Sequence, residues 1–352
     1  MLSFAYEVLP SRVLFGVGCL DQLPEEIERL GATRALVLCT PEQRKEGQQI
    51  VDRLGSHAVG LFDKAVMHEP IEIAGQARER ARALGADCCV AVGGGSTTGL
   101  AKAIALVSTL PILAIPTTYA GSEMTPIWGL TESGLKKTGR DPRVLPKTVL
   151  YEPTLTVSMP PMLSATSGMN SIAHCVEALY SKDANPIVSM IAEEGIRALA
   201  AGLPVVVKEP ANLDARSNAL YGAWLGGMAL GAVGMALHHK LCHTLGGSFN
   251  LPHAETHTVV LPHATAYTAS AAPAAMSRIA RALGATAAAQ GLYDLAASLG
   301  APTSLAALGL KAEDLDRAAD IAVQNPYYNP RPITREGVRA LLQDAFEGRR
   351  PN

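Results

Sequence analysis

The feature that most constrains the fold is a change of pattern near residue 160. Before it, short apolar runs alternate with amphipathic ones; after it, the segments are rich in Ala and Leu and have helical spacing. Apolar runs of strand length separated by helices are typical of a parallel sheet covered on both faces. The sequence therefore predicts an α/β domain with a parallel sheet over residues 1–160 and an all-helical domain over residues 161–352.

The individual segments follow from the spacing of apolar residues. Predicted strands cover residues 34–39, 58–62, 87–92, 111–115 and 148–151, and predicted helices cover residues 42–54, 71–84 and 96–107. Residues 125–135 alternate and indicate a hairpin that turns at Glu132-Ser133-Gly134. Predicted helices of the second domain cover residues 162–181, 187–203, 211–233, 237–247, 274–283, 286–299, 313–324 and 334–346, with His253 on a loop.

Composition excludes several classes of protein. The chain is 48% hydrophobic and 18% charged with a net charge of -2, which argues against disorder and against binding to nucleic acid or an anionic membrane. Six scattered cysteines and the absence of a signal-peptide pattern predict a cytoplasmic protein with reduced thiols. The uncharged stretch at residues 219–237 is interpreted as a buried helix because it holds five glycines and occurs once.

Two loops rich in small residues follow neighbouring predicted strands. Glycines allow the backbone to approach a ligand closely, and the start of the next helix favours a phosphate. The first loop has neither the GxGxxG spacing nor a P-loop lysine. In many dinucleotide-binding sites an acidic residue after an early strand binds the adenosine ribose and disfavours a 2′-phosphate. Here Thr40 follows the first predicted strand, and a threonine does not repel a 2′-phosphate. The predicted cofactor-binding residues are Gly93, Gly94, Gly95, Ser96, Thr117, Thr118, Ser122 and Thr40.

Histidines concentrate in one stretch, residues 234–263, which holds six of the nine. His239 and His243 are four residues apart on a predicted helix, and Asn170 and His174 are four apart on another, so each pair shares a helix face. Together with His253 they resemble the layout of a metal site built from two helices. The remaining three imidazoles are predicted to be structural: His238, His257 and His263.

These motifs and their order resemble the iron-containing (group III) alcohol dehydrogenase family over nearly the whole chain. The matching motifs are the opening RVLFG, GGGS, PTT, PTLT, TSGMNSIAHCVEA and HHKLCHTLGGSFNLPHAETHTVVLPH. The resemblance implies a dehydroquinate synthase-like fold, dinucleotide binding by the GGGS and Thr-Thr loops, and a homodimer. It also implies that the family's metal ligands correspond to Asn170, His174, His239 and His253, with His243 beside the reacting centre.

Two departures from the family pattern bear on the activity. Asn170 replaces the family's metal-binding Asp, and Gly99 replaces the Asp of GGGSxxD. An uncharged oxygen is a poorer ligand for a divalent ion, so the site is expected to be vestigial and to need no metal. Both departures resemble the branch that uses NADH, with NADPH possible, to reduce maleylacetate to 3-oxoadipate in the breakdown of chlorinated and hydroxylated aromatics.

The chemistry of that reduction suggests roles for the cluster. Hydride addition β to a ketone places charge on the ketone oxygen, which hydrogen-bond donors can stabilise, and a histidine can supply the proton. We expect His243 to donate the proton, and His174, His239 and His253 to bind the oxyanion or a carboxylate. The dicarboxylate substrate needs polar partners, for which we select Lys137, Tyr327 and Asn170. Other candidates are Lys136, Arg140, Arg143, Lys240, Arg331, Tyr119 and Tyr328.

Three alternatives stay open from the sequence. A metal-dependent alcohol or aldehyde dehydrogenase of the same family would lose activity with a chelator and regain it with metal. A dehydroquinate synthase-like lyase would be expected to keep a charged metal site and more phosphate-binding cations. A non-catalytic nucleotide-sensing protein would show no NADH oxidation with any enone acid.

Overall fold

The structure, a computed structural model, describes the chain except residues 1–3, 5, 10, 68 and 133–134, and the side chains of Leu135 and Lys136. The chain divides into two compact units. The first covers Val8–Ser158, and the second covers Met159–Asn352 together with the described part of Met1–Glu7.

The first unit is built on a six-stranded sheet in which every pairing is parallel. The strand order is β1-β8-β5-β4-β2-β3. The strands are β1 (Arg12–Phe15), β2 (Ala35–Leu38), β3 (Ala58–Phe62), β4 (Cys88–Gly93), β5 (Ile112–Pro116) and β8 (Thr148–Tyr151). β2, β4, β5 and β8 are buried along their whole length, which explains their continuous apolar sequences.

Four helices cover this sheet, and their apolar faces form its two core layers. They are α1 (Leu23–Arg29), α2 (Arg44–Leu54), α3 (Ile71–Ala83) and α4 (Gly95–Ser108). Because Gly93 pairs with Pro116, the glycine loop and the Thr-Thr loop leave the sheet at the same edge. The prediction missed β1 and α1, since a four-residue strand and a seven-residue helix give little periodicity.

The predicted hairpin is confirmed as an antiparallel pair of strands, β6 (Ile127–Glu132) and β7 (Leu135–Arg140). The predicted turn lies partly outside the described residues, because Ser133 and Gly134 are not among them.

The second unit is all-helical in its described residues, as predicted. Its helices are α5 (Pro161–Tyr180), α6 (Pro186–Lys208), α7 (Leu213–Ala232), α8 (Leu237–Phe249), α9 (His253–Thr268), α10 (Pro273–Leu283), α11 (Ala288–Ser298), α12 (Leu315–Ala322) and α13 (Arg335–Glu347). Buried apolar residues of α8, α9, α12 and α13 form one core cluster. Asn185 begins α6 by accepting hydrogen bonds from the backbone N–H groups of Ile187 and Val188, both at 3.1 Å.

Helix α9 is the main correction to the predicted fold. His253 was placed on a loop, but it is the first residue of this helix, and Pro262 lies inside it. An interior proline and several β-branched residues lower intrinsic helix propensity, and the helix is buried on most of its surface. Burial therefore outweighs propensity here, and no one-sided apolar periodicity marked the segment.

The cysteines and the long apolar stretch agree with the sequence interpretation. All six cysteines are free and buried. Among the described residues, no single helix has the length and hydropathy needed to cross a membrane; α7 and α8 pass such a test only as a pair, with a 96° bend between them.

Candidate active site

The glycine loop and the Thr-Thr loop pack directly against each other. Gly93 has φ +152°, and a Cβ there would lie 2.7 Å from Oε1 of Gln43. A Cβ on Gly94 would lie 2.8 Å from Oγ1 of Thr118. The backbone N–H of Thr117 donates to the Gly93 carbonyl at 3.1 Å. Side chains are thus excluded where α4 begins, and the first N–H groups of this helix are left for an anion such as a dinucleotide phosphate.

Lys102 of α4 holds the end of the Thr-Thr loop through hydrogen bonds. Its side chain is 1% exposed. Its three N–H groups are shared among four oxygen atoms within hydrogen-bond distance: the Ser122 carbonyl at 2.7 Å, Ser122 Oγ at 3.1 Å, Thr125 Oγ1 at 3.0 Å and the Ile127 carbonyl at 2.7 Å. Burial lowers the pKa of Lys102 to about 7, and the carboxylates of Glu123 and Glu69 oppose that shift. Both oxygens of Ser122 therefore hold the loop, and its predicted contact with the cofactor stays a prediction.

Thr40 follows β2, where the sequence predicts a ribose contact. Its carbonyl accepts from the Gln43 backbone N–H at 3.1 Å, which shapes the turn into α2. The backbone N–H of Glu42 and the Thr40 side chain bond to the Glu42 carboxylate and lower its pKa. Thr40 is half-buried. Ser96 is likewise half-buried, in the first turn of α4.

In the second unit, Glu177 organises the histidines. Its carboxylate is fully buried and accepts from the backbone N–H groups of Ala236 at 2.6 Å and His238 at 2.7 Å. These bonds satisfy donors at the start of α8. The same carboxylate lies 2.7 Å from His239 Nδ1. An ionised carboxylate only accepts, so Nδ1 carries the proton and Nε2 remains for a ligand.

Several buried polar atoms near this carboxylate have no hydrogen-bond partner among the described residues. They are Asn170 Oδ1, His174 Nδ1, His239 Nε2 and His257 Nε2. The His174 and His239 rings stack with their centroids 5.3 Å apart. Buried polar groups without partners are costly, and a group of them indicates a site that a ligand, water or ion completes. The structure thus brings His174 and His239 together, and Asn170 lies one turn before His174 on α5.

The imidazole cluster is larger than the sequence analysis proposed. His257 was assigned a structural role, yet its ring centroid lies 4.4 Å from that of His253 and 4.9 Å from that of His239. His238 Nε2 lies 2.9 Å from His257 Nδ1. Burial, followed by the neighbouring imidazoles, lowers the pKa of His174, His238 and His257 well below the usual value. We therefore add His238 and His257 to the cluster, as neutral rings that support the predicted members.

His243 and Tyr327 form an exposed edge of the cluster. His243 Nδ1 lies 3.1 Å from the Tyr327 hydroxyl, and the His239 and His243 centroids are 6.2 Å apart. Burial raises the pKa of Tyr327, with a further contribution from Glu177, so its phenol stays neutral. The Lys240 ammonium lies over the Tyr327 ring, 5.9 Å from its centroid. This edge offers a proton donor, a hydroxyl and a cation to a polar substrate.

The other predicted substrate cations have different surroundings. Lys137 pairs with Glu132 at 2.6 Å on the exposed hairpin of the first unit. Arg143 pairs with Asp141, and the Arg331 guanidinium donates to the Tyr267 carbonyl at 2.9 Å. The Lys136 side chain lies outside the described residues. Lys240 is a further candidate, because it lies beside the imidazole cluster within the second unit, and the selection of Lys137 stays a prediction.

The donor atoms at the family's metal positions fit a divalent ion poorly. Asn170, His174, His239 and His253 supply lone pairs but no negative charge. Among the described residues, the one group of three His, Cys, Asp or Glu side chains whose ligand atoms lie within 4.8 Å of one another is His238, Cys242 and His257. None of these is a family ligand, and burial raises the pKa of the Cys242 thiol well above its usual value. We derive no step through a metal.

The most consequential residue that the sequence analysis left out is Glu177. Its signal was present, because an acid three residues after His174 lies in a helical run buried from Ser164 to Tyr180. Charged side chains are rarely buried without a partner. Its partners, however, begin 59 residues later in the chain, and no local pattern pairs them with Glu177.

A parallel-sheet unit with two small-residue loops and a helical unit with a polar imidazole cluster define a dinucleotide-dependent oxidoreductase. Two family models divide the chain between them: iron-containing alcohol dehydrogenase at residues 10–153, and the Fe-containing alcohol dehydrogenase family, C-terminal, at residues 164–346. The chain belongs to the iron-containing alcohol dehydrogenase family.

Individual relatives are similar over their whole length. Maleylacetate reductase from Burkholderia cepacia is 59% identical over 352 residues, covering 100% of both chains. The crystal structure of maleylacetate reductase from Agrobacterium tumefaciens superposes with a TM-score of 0.97 at 55% identity, again over 100% of both chains. A structure of 1,3-propanediol oxidoreductase has a TM-score of 0.92 at 28% identity, with 98% of this chain and 100% of that chain covered.

Proposed function

We propose that the chain is a maleylacetate reductase, which uses NADH to reduce the conjugated double bond of maleylacetate and forms 3-oxoadipate. The observation that carries the proposal is Asn170 in the metal-ligand position, within a cluster of uncharged imidazole and amide donors. A neutral donor set suits an anionic substrate better than a metal-bound alkoxide. Full-length relatives of 59% and 57% identity that bear this name support the same activity.

The reaction needs a hydride donor, an oxyanion site and an acid. The hydride of NADH forms a new C–H bond at the carbon β to the ketone, and the π electrons move to the ketone oxygen as an enolate. Donors among His174, His253 and the Asn170 amide stabilise that oxygen. His243 then gives its proton to the α carbon and regains one from solvent, to which it is exposed.

The Glu177–His239 pair determines what His239 offers to the substrate. With Nδ1 bonded to the carboxylate, Nε2 is the atom that contacts a ligand. Nε2 then carries a lone pair, so His239 accepts a hydrogen bond there, and donation to the developing oxyanion falls to the other members of the cluster. Lys240 and the Tyr327 hydroxyl provide binding groups for a substrate carboxylate, in addition to the predicted Lys137.

The remaining properties are part of the same proposal. Thr40 binds the ribose without repelling a 2′-phosphate, so NADH is the cofactor and NADPH can substitute for it. No metal is required, and the enzyme is a cytoplasmic homodimer. Its role is in the breakdown of aromatic compounds. The competing candidate is a metal-dependent alcohol or aldehyde dehydrogenase, which the unpartnered Asn170 Oδ1, His174 Nδ1 and His239 Nε2 favour.

Deuterium transfer separates these two candidates. With NADH deuterated at the transferred position, we expect one deuterium in 3-oxoadipate at the carbon β to the ketone, detected by NMR. The reason is that hydride adds to the alkene and leaves the carbonyl in place. A product carrying deuterium on a carbinol carbon would contradict the proposal and indicate carbonyl reduction. An unlabelled control reaction establishes the product skeleton.

A further inference from the structure

In the first unit, the Glu69 side chain occupies the space that a side chain on Gly99 would need. Gly99 lies on α4 where the family pattern has an acid. A Cβ built on Gly99 would lie 2.7 Å from both Cδ and Cγ of Glu69, and closer still to Oε1. The Glu69 carboxylate therefore fills the space that a side chain at position 99 would enter.

The segment that carries Glu69 is held in an unusual conformation. Glu69 has φ +45°, a value that residues other than glycine seldom adopt. Its carbonyl accepts from the Thr131 backbone N–H at 3.1 Å, and Pro70 forms an isolated bridge with Thr131. Strain of this kind persists where the surroundings fix it, and it is common at functional sites. Contacts to β6 thus keep the carboxylate beside α4.

The Glu69 carboxylate also affects Lys102, the buried cation of α4. This lysine lies three residues after Gly99 on α4, so the two positions are neighbours on one helix face. Burial lowers the pKa of Lys102, and the carboxylate of Glu123, followed by that of Glu69, opposes the shift. Lys102 in turn holds Ser122, Thr125 and Ile127, which follow the Thr-Thr loop.

We propose that Glu69 is a positioning residue of the dinucleotide site, and that its carboxylate takes over, from the loop before α3, the place of the acid that the family carries at position 99. It lies against the α4 face that carries Gly99 and Lys102, and so supports the Lys102 contacts that fix the loop predicted to bind the cofactor. The inference rests on the proposed function in that the cofactor is NADH. It explains why Gly99 is a glycine in this chain, since two carboxylates do not fit there.

A double-mutant cycle tests whether Glu69 and a side chain at position 99 occupy the same space. Glu69→Ala and Gly99→Asp are each expected to raise the Kd for NADH about tenfold, the first by removing the acid and the second by forcing two carboxylates together. Gly99→Asp combined with Glu69→Ala supplies one acid again, so its Kd is expected to return to within about threefold of the original. Glu69→Gln keeps the shape and is expected to behave like Glu69→Ala, because charge is what Lys102 requires.

The controls separate this effect from general damage. Gly75→Asp makes the same substitution at a helical glycine with nothing within 4 Å of a Cβ, and Glu72→Ala removes an exposed acid of the same helix. Both are expected to leave the Kd unchanged. A double variant that is as weak as the two single effects combined would overturn the proposal, as would a Glu69→Ala variant with an unaltered Kd.

The same cycle in Tm keeps the two proposals distinguishable. Binding of NADH and thermal unfolding are both measured without maleylacetate, so a failure of the maleylacetate assay leaves the cycle readable. The Tm of the free protein is expected to show the same recovery in the double variant, because the carboxylate and Lys102 interact without cofactor. Additive losses of Tm would contradict the shared place even if NADH did not bind.

Discussion

Replacing His243 by alanine is expected to lower kcat about 10²–10⁴-fold at saturating NADH and maleylacetate. The enolate formed by hydride addition then waits for a proton from water in place of a positioned imidazole. His243 is exposed, so its removal leaves no cavity in a core and the Tm is expected to stay within a few degrees. Steady-state NADH oxidation measures the effect.

A paired variant sharpens the test of His243. Tyr327→Phe removes the hydroxyl that lies 3.1 Å from His243 Nδ1 and keeps the ring under Lys240. We expect a smaller loss in kcat, about tenfold or less, because an oriented proton donor remains. The Kd for NADH is expected to be the same in both variants. Near-normal turnover of His243→Ala at saturating NADH would show that His243 is not the proton donor.

Glu177→Gln is the second change with a large expected effect. The carboxylate accepts from Ala236, His238 and His239 in a fully buried setting, and an amide has one oxygen with which to replace two. Its NH₂ group then faces an N–H donor. Loss of a carboxylate that orients an imidazole lowers activity about 10–100-fold in related arrangements. A buried unsatisfied donor also costs about 1–3 kcal/mol of the free energy of unfolding.

Two readouts follow the Glu177 variant. The Tm is expected to fall by several degrees, and kcat is expected to fall by more than the Tm change explains at 25 °C, where the variant is folded. Glu313→Gln serves as the matched control, because that carboxylate is 78% exposed and its loss is expected to change neither quantity. A Glu177→Gln enzyme with unaltered kcat and Tm would show that the pair does not organise the cluster.

The sequence predicted those parts of the fold that depend on local pattern. The buried strands β2, β4 and β5 read as apolar runs because both faces of a parallel sheet are covered, and the glycines at β4 marked the turn into α4. Helix α9 was not predicted, because tertiary burial, and not intrinsic helix propensity, holds its proline-containing segment in a helix. The short elements β1 and α1 carried too few residues to show a period.

In the candidate site too, pairs within one helix could be predicted from the sequence, and contacts between distant segments could not. Spacing by four residues placed Asn170 with His174 and His239 with His243, because helix geometry is local. The Glu177–His239 bond, the His238–His257 contact and the overlap of Glu69 with the space above Gly99 join segments distant in sequence. Pattern alone contains no distance between such segments, so the roles of Glu177, His257 and Glu69 required the folded chain.

The replacement of an acid by Asn170 changes what the cluster can do. With an aspartate, three imidazoles and a carboxylate would form a charged metal site. With an amide, the same positions offer neutral lone pairs and N–H donors, and the buried charge that remains is that of Glu177. In the proposed reaction the chemistry depends on hydrogen bonds to an enolate, and the Glu177 carboxylate acts on an imidazole rather than on a metal.

The most direct test is the rate of NADH absorbance loss with maleylacetate, measured before and after exhaustive dialysis against a chelator. If neutral donors perform the reduction, the two rates are expected to agree within error, and added Fe²⁺ or Zn²⁺ is expected not to increase them. A rate that disappears on chelation and returns with added metal would contradict the account and identify a metal-dependent dehydrogenase.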